Sequence, residues 1–362
     1  MAMHDVIIIG GGQSGLALGY HLARQGRRFL ILDAADQVGH SWRSRWDSLR
    51  LITPCPYNDL PGMPFPGEPW SFPTKDEVAS YLAHYAKTFD LPLRLGTRVT
   101  SVRRVGDAYE VRTADTSFEA HSVVCATGPF QRPHVPLDTQ WASPSLLQLH
   151  STQYRNPSHL PPGKVLVVGC GNSGAGIARE LAATHEVHLA LGRTGVTPRR
   201  MLGRDFFWWA HRLRLMDVTR DSWLGQKMRQ GPDSIIGPGP EELARAHGIV
   251  LRPRVRSVEG HRVTFEDGGV LEVGTLLWAT GFRPDYDWLE VPVLDARGAP
   301  VHQRGITASP GLYFLGLKWL YRPNSSLLGG VGRDAAFLAA HLAERAGHSR
   351  SAASPRPFQE AS

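Results

Sequence analysis

The sequence predicts an α/β fold built from two similar units, and three observations support this prediction. Glycine-rich turns with the spacing GxGxxG occur twice, at Gly10–Gly15 and at Gly169–Gly174. Each turn follows an apolar, β-branched run and precedes a helical pattern. An apolar run that ends in Ala-Thr-Gly then follows each unit, at Val123–Gly128 and at Leu276–Gly281. The repeated order of strand, glycine turn and helix predicts two Rossmann-like dinucleotide-binding domains rather than one.

The first unit is expected to begin at the start of the chain. We predict a strand over Asp5–Ile9, a turn over Gly10–Gly12, a helix over Ser14–Arg24 that stops at Gly26, and a strand over Phe29–Leu32. The rest of this unit is predicted to contain a stretch rich in proline and aromatic residues, a helix and a β-rich stretch, at Pro54–Pro73, Asp76–Thr88 and Arg94–Val124.

The second unit repeats this order after two proline-rich linkers, Pro129–Pro136 and Pro157–Pro162. Its predicted elements are a strand, a helix, a second strand and a closing β-rich stretch, at Val165–Val168, Gly174–Ala183, Val187–Leu191 and Val250–Thr280. The stretch Gly203–Gly237 interrupts the pattern as an insertion, and Tyr313–Glu344 ends in a long helix.

Composition narrows the classes of function. The chain has 362 residues, 42% of them hydrophobic and 20% charged, and a net charge of +7. Acidic residues are interspersed among the basic ones and no nucleic-acid recognition motif is present, so we expect no nucleic-acid partner. No apolar run is long enough to span a bilayer, so we expect no membrane partner and a cytoplasmic location.

Three isolated cysteines, Cys55, Cys125 and Cys170, form no CxxC pair and no zinc ligand set. Buried free thiols are therefore expected, and a metal site is not. A redox dithiol is disfavoured for the same reason.

The first glycine turn has the features of a dinucleotide site. Gly10 allows the tight turn, Gly12 lets the backbone approach a pyrophosphate, and Gly15 lets the helix pack closely on the strand. The helix that begins near Ser14 presents free N–H groups and a positive dipole to the phosphates. Asp33, at the end of the next strand, can accept hydrogen bonds from a ribose diol.

The second glycine turn, formed by Gly169, Gly171 and Gly174, differs at the acidic position. Arg193 stands where the first unit has Asp33. An arginine can pair with a 2′-phosphate, so NADPH is preferred over NADH at this site, with Arg199 and Arg200 as reinforcement. Surface arginines in an arginine-rich protein are the alternative interpretation.

These motifs together resemble those of the flavin-containing monooxygenases, in a short bacterial form. Gly39–Trp42 (GHSW) resembles the family's glycine and tryptophan near the flavin, and His150 with Tyr154 resembles the end of the family's fingerprint between the two units. The Phe and Gly of that fingerprint are replaced by Pro144 and Leu146.

The resemblance implies an FAD domain with an inserted NADPH domain, of three-layer ββα type. We expect FAD at residues 1–150 and 285–346, NADPH at residues 155–282, NADH as a further electron donor, and a disordered tail at 347–362. The candidate cofactor-binding residues are Gly10, Gly12, Ser14, Gly15, Asp33, Trp42, Val99, Thr127, Gly128, Gly169, Gly171, Asn172, Ser173, Gly174, Arg193, Arg199, Thr280 and Gly281.

Catalytic residues are harder to predict. Many family members have an asparagine beside the flavin, but the corresponding stretch Leu49–Pro54 places Ile52 or Thr53 there. The remaining candidates are Thr53, Asn58, His150 and Asn324. Aromatic residues at Phe206–Trp209, Trp223 and Trp319 are candidates for the lining of an apolar substrate pocket or for core packing.

The resemblance implies an FAD-dependent, NADPH-consuming monooxygenase acting through a flavin C4a-(hydro)peroxide. It would oxygenate a nitrogen or sulfur nucleophile, or a ketone, of a small organic substrate, with O2 as co-substrate. An NADPH oxidase or flavin-linked reductase is the alternative enzyme, and a redox-sensing nucleotide-binding protein is the remote one. The sequence leaves open whether the protein forms a homodimer.

Overall fold

The computed structural model describes residues 3–353, with side chains up to residue 346. Its strands are, in chain order, β1 (His4–Ile9), β2 (Phe29–Leu32), β3 (Leu93–Arg94), β4 (Val99–Val105), β5 (Ala108–Thr113), β6 (Ser117–Cys125), β7 (Arg132–Pro133), β8 (Leu147–His150), β9 (Lys164–Val168), β10 (Glu186–Ala190), β11 (Gly195–Thr197), β12 (Arg200–Met201), β13 (Arg204–Asp205), β14 (Ser234–Ile236), β15 (Val250–Arg252), β16 (Val255–Glu259), β17 (Arg262–Phe265), β18 (Val270–Glu272), β19 (Thr275–Trp278), β20 (Phe282–Arg283) and β21 (Leu312–Phe314).

The helices are α1 (Gln13–Arg24), α2 (His40–Arg43), α3 (Lys75–Thr88), α4 (Asn172–Leu181), α5 (Phe206–Arg212), α6 (Trp223–Gln230), α7 (Pro240–His247) and α8 (Val331–Ala353). The tail expected at 347–362 overlaps the end of α8, and residues 354–362 lie outside the described residues. Within the described part of the chain, no helix is both long and apolar enough to cross a membrane.

The first sheet has the order β3-β2-β1-β6-β5-β4, with β21 also paired to β6. Its central strands β2, β1, β6 and β21 are parallel, and β4–β5–β6 form an antiparallel meander. Ile8 and Val6 face a core shared with α1, α3 and α8, whereas Ile7 and Ile9 face a second core on the opposite side. Both faces of β1 are therefore buried, which explains its unbroken apolar sequence.

The second sheet, β15-β10-β9-β19-β8, is wholly parallel. Val165 and Val167 of β9 pack with α4 and α7 on one face, and Leu166 and Val168 pack with the antiparallel strands β16–β18 on the other. A helical layer, a parallel sheet and a β-layer make three layers. The predicted α/β fold with two Rossmann-like units of ββα type is confirmed.

Strand pairing and side-chain packing join the two units. Strand β7, in the linker Pro129–Pro136, forms a small antiparallel pair with β20, which follows the second Ala-Thr-Gly segment. Trp46, from the segment after α2, is buried in the core of the second sheet. Strand β8, assigned from sequence to the first unit, pairs with β19 in the second sheet, because a four-residue strand carries no signal of its partner.

The insertion between β10 and β15 is larger than Gly203–Gly237. It is framed by the parallel pair β11–β14 and contains the hairpin β12–β13 and the helices α5 and α6. Asp205 and Ser222 cap α5 and α6 at their N-termini through their side chains. The insertion is therefore a folded layer and not an extended loop.

His302, in the segment before β21, interacts electrostatically with Arg220, Arg229 and Asp221 of the insertion. Its Nδ1 accepts a hydrogen bond from the backbone N–H of Gly305 at 3.1 Å, which requires the unprotonated nitrogen. Burial, reinforced by Arg220 and Arg229 and opposed by Asp221, lowers the pKa of His302 to about 4. Folding therefore disfavours the protonated form of this side chain.

This histidine should make stability fall in mild acid. The unfolded chain takes up a proton at the ordinary histidine pKa of about 6.5, and the folded chain does so only near 4, so stability is lost as pH falls through this window. With allowance for partial exposure, the loss is roughly 1–2 kcal/mol. The free energy of unfolding in urea should differ less between about pH 7 and about pH 4.5 for His302→Asn than for the wild type. The asparagine side-chain oxygen can still accept the hydrogen bond from Gly305. The exposed His84→Asn is the control, and an equal reduction there would contradict the assignment.

Candidate functional site

The first glycine turn is a backbone contact that a side chain would prevent. Gly10 has φ +112°, and a methyl group on it would lie 2.6 Å from the carbonyl oxygen of Ala126. A methyl group on Gly15 would overlap the carbonyl oxygen of Gly10, whereas one on Gly12 would meet no atom within 4 Å. The fold itself thus requires the first and third glycines. The second glycine borders free space, so a ligand can approach the protein backbone there.

The second glycine turn has the same geometry. Gly169 has φ +100° and its methyl group would lie 2.6 Å from the carbonyl oxygen of Ala279, while Gly174 is pressed against Gly169. Gly171 has nothing within 4 Å. The two turns therefore form equivalent cradles, each against the Ala-Thr-Gly segment of its own unit.

Both helices that follow the turns begin without a protein cap. No side chain among the described residues caps α1 or α4, and neither has an acidic residue in its first turn. By contrast, α3 begins with a capping box between Thr74 and Glu77. Free N–H groups and a positive dipole at α1 and α4 fit the pyrophosphate of a dinucleotide.

A cavity of about 940 Å³ extends from the first turn toward the second. Its lining includes many of the predicted residues, namely Gly10, Gly12, Ser14, Asp33, Trp42, Val99, Thr127, Gly128 and, from α4, Ser173. Phe282 of β20 lines the same cavity. Two nucleotide sites with a common cavity can bring two cofactors together.

Asp33 lies at the cavity wall with its orientation set by backbone groups. Its Oδ2 accepts from Gly11 N–H at 2.6 Å and its Oδ1 accepts from Ala35 N–H at 2.8 Å. Each carboxylate oxygen can accept a further bond, so a ribose hydroxyl can still bind. Ser14 is buried against Gly316, where a methyl group would overlap the serine hydroxyl.

Gln13 and Arg45 line the cavity but were not predicted from the sequence. The indole of Trp42 donates to Gln13 Oε1 at 3.3 Å, and the Gln13 amide donates to the carbonyl oxygen of Ser326 at 3.1 Å. This chain of bonds joins α1, α2 and the segment before α8. Arg45 also lines the cavity, with its guanidinium over the rings of Phe130 and Phe282. No local pattern distinguishes these residues, because their partners are distant in the chain.

His150 orients the second unit's Ala-Thr-Gly segment. Its Nε2 donates to the carbonyl oxygen of Gly281 at 3.1 Å and its Nδ1 accepts from Thr152 N–H at 3.3 Å. Burial lowers the pKa of His150 and keeps it neutral. Thr280 donates to the His134 carbonyl. Both ring nitrogens of His150 are thus engaged, so this candidate acts by position.

The remaining residues of the second cradle lie at the surface or make structural bonds. The side chain of Asn172 bridges to β14 through Ser234 and Ile236. Arg193 is exposed at the end of β10. An exposed arginine beyond that strand is free to reach a 2′-phosphate.

Arg199 lies in a different environment. Its Nε donates to Asp205 at 2.7 Å, its Nη1 donates to the carbonyl oxygen of Ile52 at 2.5 Å, and its guanidinium stacks 3.9 Å from the ring of Phe72. Burial lowers its pKa. Arg199 therefore connects the insertion to the segment where the family has an asparagine, and its contacts do not support the phosphate role expected from sequence.

Three of the four catalytic candidates converge. The Thr53 hydroxyl donates to Asn58 Oδ1 at 2.5 Å, and the Asn58 amide donates to the carbonyls of Thr53 and Pro54. Asn324 lines a small second cavity with Thr53, beside Phe207 and His211 of α5. Asn58 therefore holds the loop, and Thr53 and Asn324 are the polar groups of this cavity. His150 lies apart, at the contact between the two units.

The aromatic residues of the insertion divide into two groups. Phe207 is buried and faces Tyr57, whereas Trp223 is 75% exposed. Phe207 fits the core-packing alternative, whereas Trp223 fits neither alternative because α6 buries only Gly225. The cysteines Cys55, Cys125 and Cys170 are buried and free. Burial raises the pKa of Cys125 and raises that of Cys170 to about 11, so both stay protonated.

Comparisons with known proteins agree with this site. Residues 7–201 match the family model for pyridine nucleotide-disulphide oxidoreductases. The chain is 44% identical to an uncharacterized CzcO-like oxidoreductase of Geobacillus kaustophilus, over 92% of this chain and 97% of that protein. It is 39% identical to the uncharacterized oxidoreductase CzcO of Bacillus subtilis, over 93% and 98%.

Among solved structures, the chain is similar to a flavin-containing monooxygenase from Stenotrophomonas maltophilia. The TM-score is 0.79 at 28% sequence identity, covering 96% of this chain and 100% of that one. The match confirms the family predicted from the two glycine turns and the GHSW segment. The chain belongs to the pyridine nucleotide-disulphide oxidoreductase family and, within it, to the flavin-containing monooxygenases, which makes it an FAD- and NADPH-dependent oxidoreductase.

Proposed function

We propose that this monooxygenase oxygenates a nitrogen or sulfur nucleophile, or a ketone, of a small organic substrate, with electrons from NADPH and with O2 as co-substrate. The observation that carries the proposal is the common cavity, because residues of the FAD cradle and Ser173 of the NADPH cradle line one space. Bound FAD and NADPH supply the hydride transfer and the reaction with oxygen. The protein binds and orients them.

We assign FAD to the unit of the first sheet, residues 1–150 without β8 and 285–346. The backbone at Gly12 and the start of α1 would hold the pyrophosphate, and Asp33 would accept from the ribose. Thr127 and Gly128 line the opposite side. The indole of Trp42, held by Gln13, orients the wall beside the flavin.

We assign NADPH to residues 155–282 together with β8. Gly171 and the N–H groups at Asn172 and Ser173 would hold its pyrophosphate, and Arg193 its 2′-phosphate. His150 keeps Gly281 in place and so positions the segment that faces the second glycine turn. This arrangement directs the electron donor toward the common cavity.

Apolar residues of the first unit exclude water from the common cavity. Trp46 is buried between the two units, and Leu49 lines the cavity beside it. Apolar side chains at this wall limit the access of water and so limit wasteful release of reduced oxygen. The small cavity of Thr53 and Asn324 has a volume of about 10 Å³, room for a single water molecule, so the substrate is proposed to bind in the common cavity. The common cavity is large enough for such a molecule and its lining is more apolar than polar, which suits a neutral organic substrate.

One observation favours the alternative, an NADPH oxidase or flavin-linked reductase. Ile52 or Thr53 stands where many members of the family have an asparagine, and the carbonyl oxygen of Ile52 accepts a hydrogen bond from Arg199. No side-chain amide from this position can bind reduced oxygen near the flavin. The coupling of NADPH consumption to oxygenation separates the two functions.

Coupling should be measured with an amine, a sulfide and a ketone in turn. For at least one class we expect the oxygenated product to account for most of the NADPH consumed, because apolar side chains such as Trp46 and Leu49 line the common cavity and limit the access of water. Product and hydrogen peroxide are quantified against NADPH oxidation, with no added substrate as the control. Peroxide equal to NADPH for all three classes would favour the oxidase.

The second cradle can be tested by a matched pair of substitutions. Gly171→Ala places a methyl group in free space, so we expect unchanged folding but NADP⁺ binding weakened by about tenfold or more. Gly174→Ala overlaps Gly169, so we expect a free energy of unfolding lower by about 2 kcal/mol or more. Calorimetric NADP⁺ titration and urea unfolding provide the two readouts. Full NADP⁺ affinity in Gly171→Ala would remove the NADPH site from this turn.

Arg193 should determine the choice between the two nicotinamide cofactors. Arg193→Asp exchanges a phosphate partner for a ribose acceptor, so the ratio of kcat/KM for NADPH over NADH should fall by about tenfold or more. The exposed Arg256→Asp on β16 is the control and should leave the ratio unchanged. If both variants keep the original ratio, another residue recognises the 2′-phosphate.

A further inference from the structure

The insertion exposes apolar side chains that a surface loop does not require. Leu202 is 89% exposed at the tip of the β12–β13 hairpin, Leu213 is 60% exposed after α5, and Trp223 begins α6 at 75% exposure. Met201, Leu224 and Met228 are also exposed. Single exposed apolar side chains are common on protein surfaces, whereas several of them in one segment indicate an interaction surface.

The backbone at Leu202 strengthens this interpretation. Leu202 has φ +48° and the next residue, Gly203, has φ +75°, so the hairpin has a two-residue turn with both residues in the left-handed region. Such turns favour Asn, Asp or Gly, and a leucine there costs about 1 kcal/mol or more. Turn formation therefore does not explain the leucine. Its side chain is best explained by what it contacts outside the protein.

The same segment is strongly basic. Residues 200–230 contain seven arginine and lysine residues against three aspartates. All three aspartates are paired, Asp205 with Arg199, Asp217 with Arg333 and Asp221 with Arg220. Cations also lie beside the apolar groups, since Lys227 is 5.4 Å from the ring of Trp223 and Arg204 is 5.3 Å from that of Trp208. Exposed apolar side chains and cations are therefore close to each other within this segment.

The other side of the insertion is anchored to the protein. Phe207 and Ala210 of α5 are buried, and His211 stacks on Tyr57 at 4.3 Å. The backbone N–H of Arg220 donates to the carbonyl oxygen of Tyr321 at 2.8 Å. The exposed side chains thus project from a layer that is held in place.

We propose that the exposed layer of residues 200–230, called here the insertion surface, docks on an anionic lipid bilayer. Tryptophan and leucine enter the interface while arginine and lysine pair with lipid phosphates, each cation contributing about 1 kcal/mol near an anionic surface. Docking is peripheral and weakened by salt. The proposal revises the sequence-based expectation of no membrane partner, and it is independent of the substrate.

The test is sedimentation of the FAD-loaded protein with vesicles of phosphatidylcholine, alone or with phosphatidylglycerol. The wild type should sediment with the anionic vesicles only, and added NaCl should release it. The double variant Leu202→Ser with Trp223→Ser should bind about tenfold more weakly, as should Arg204→Glu with Lys227→Glu. Flavin content and thermal unfolding establish that each variant is folded.

The chain offers a matched control away from the insertion. Trp141 is 71% exposed and Arg256 is exposed on β16, so Trp141→Ser with Arg256→Glu makes the same chemical changes elsewhere. This variant should bind as the wild type does. Equal loss in the control, or no binding of the wild type to anionic vesicles, would overturn the proposal. A dimer that the Leu202 and Trp223 substitutions dissociate, without vesicle binding, would instead make this surface a contact between two copies.

Discussion

The carbonyl oxygens of Gly10 and Gly169 occupy positions on which both halves of the molecule depend. Each is covered directly by the third glycine of its turn, and each turn lies against the carbonyl of an alanine that begins an Ala-Thr-Gly segment. Strand, helix and return segment can therefore approach closely only where no Cβ intervenes. The open space at Gly12 and Gly171 follows from this packing. The same contact that brings the helix onto the sheet also aims its unpaired N–H groups at the ligand.

The relation between the two cradles depends on polar contacts from distant parts of the chain. His150 is held neutral by burial and uses both ring nitrogens to position Gly281. Trp46 crosses from the first unit into the second core. Buried, fully bonded groups of this kind have one low-energy arrangement, so they restrict where the two cofactors can meet.

The insertion connects chemistry and surface. Arg199 links it to the carbonyl of Ile52, beside the segment expected near the flavin, and α5 places Phe207 over the small cavity of Thr53 and Asn324. Its outer residues are apolar and basic. A layer with a bonded inner side and an exposed apolar outer side fits an element that both closes a site and contacts a partner.

The sequence by itself determined the α/β fold, the two glycine turns, the helices after them and the family. These features depend on local spacing and on positions that only glycine can occupy. It also identified most residues of the first cradle, including Asp33 and Trp42. Tertiary structure alone decided that β8 joins the second sheet, that Arg199 binds a carbonyl, that Asn58 and His150 are occupied by structural bonds, and that Gln13 and Arg45 line the cavity. The physical reason is that a hydrogen-bond partner or a buried environment is supplied by residues far away in the chain, and no local pattern encodes which ones they are.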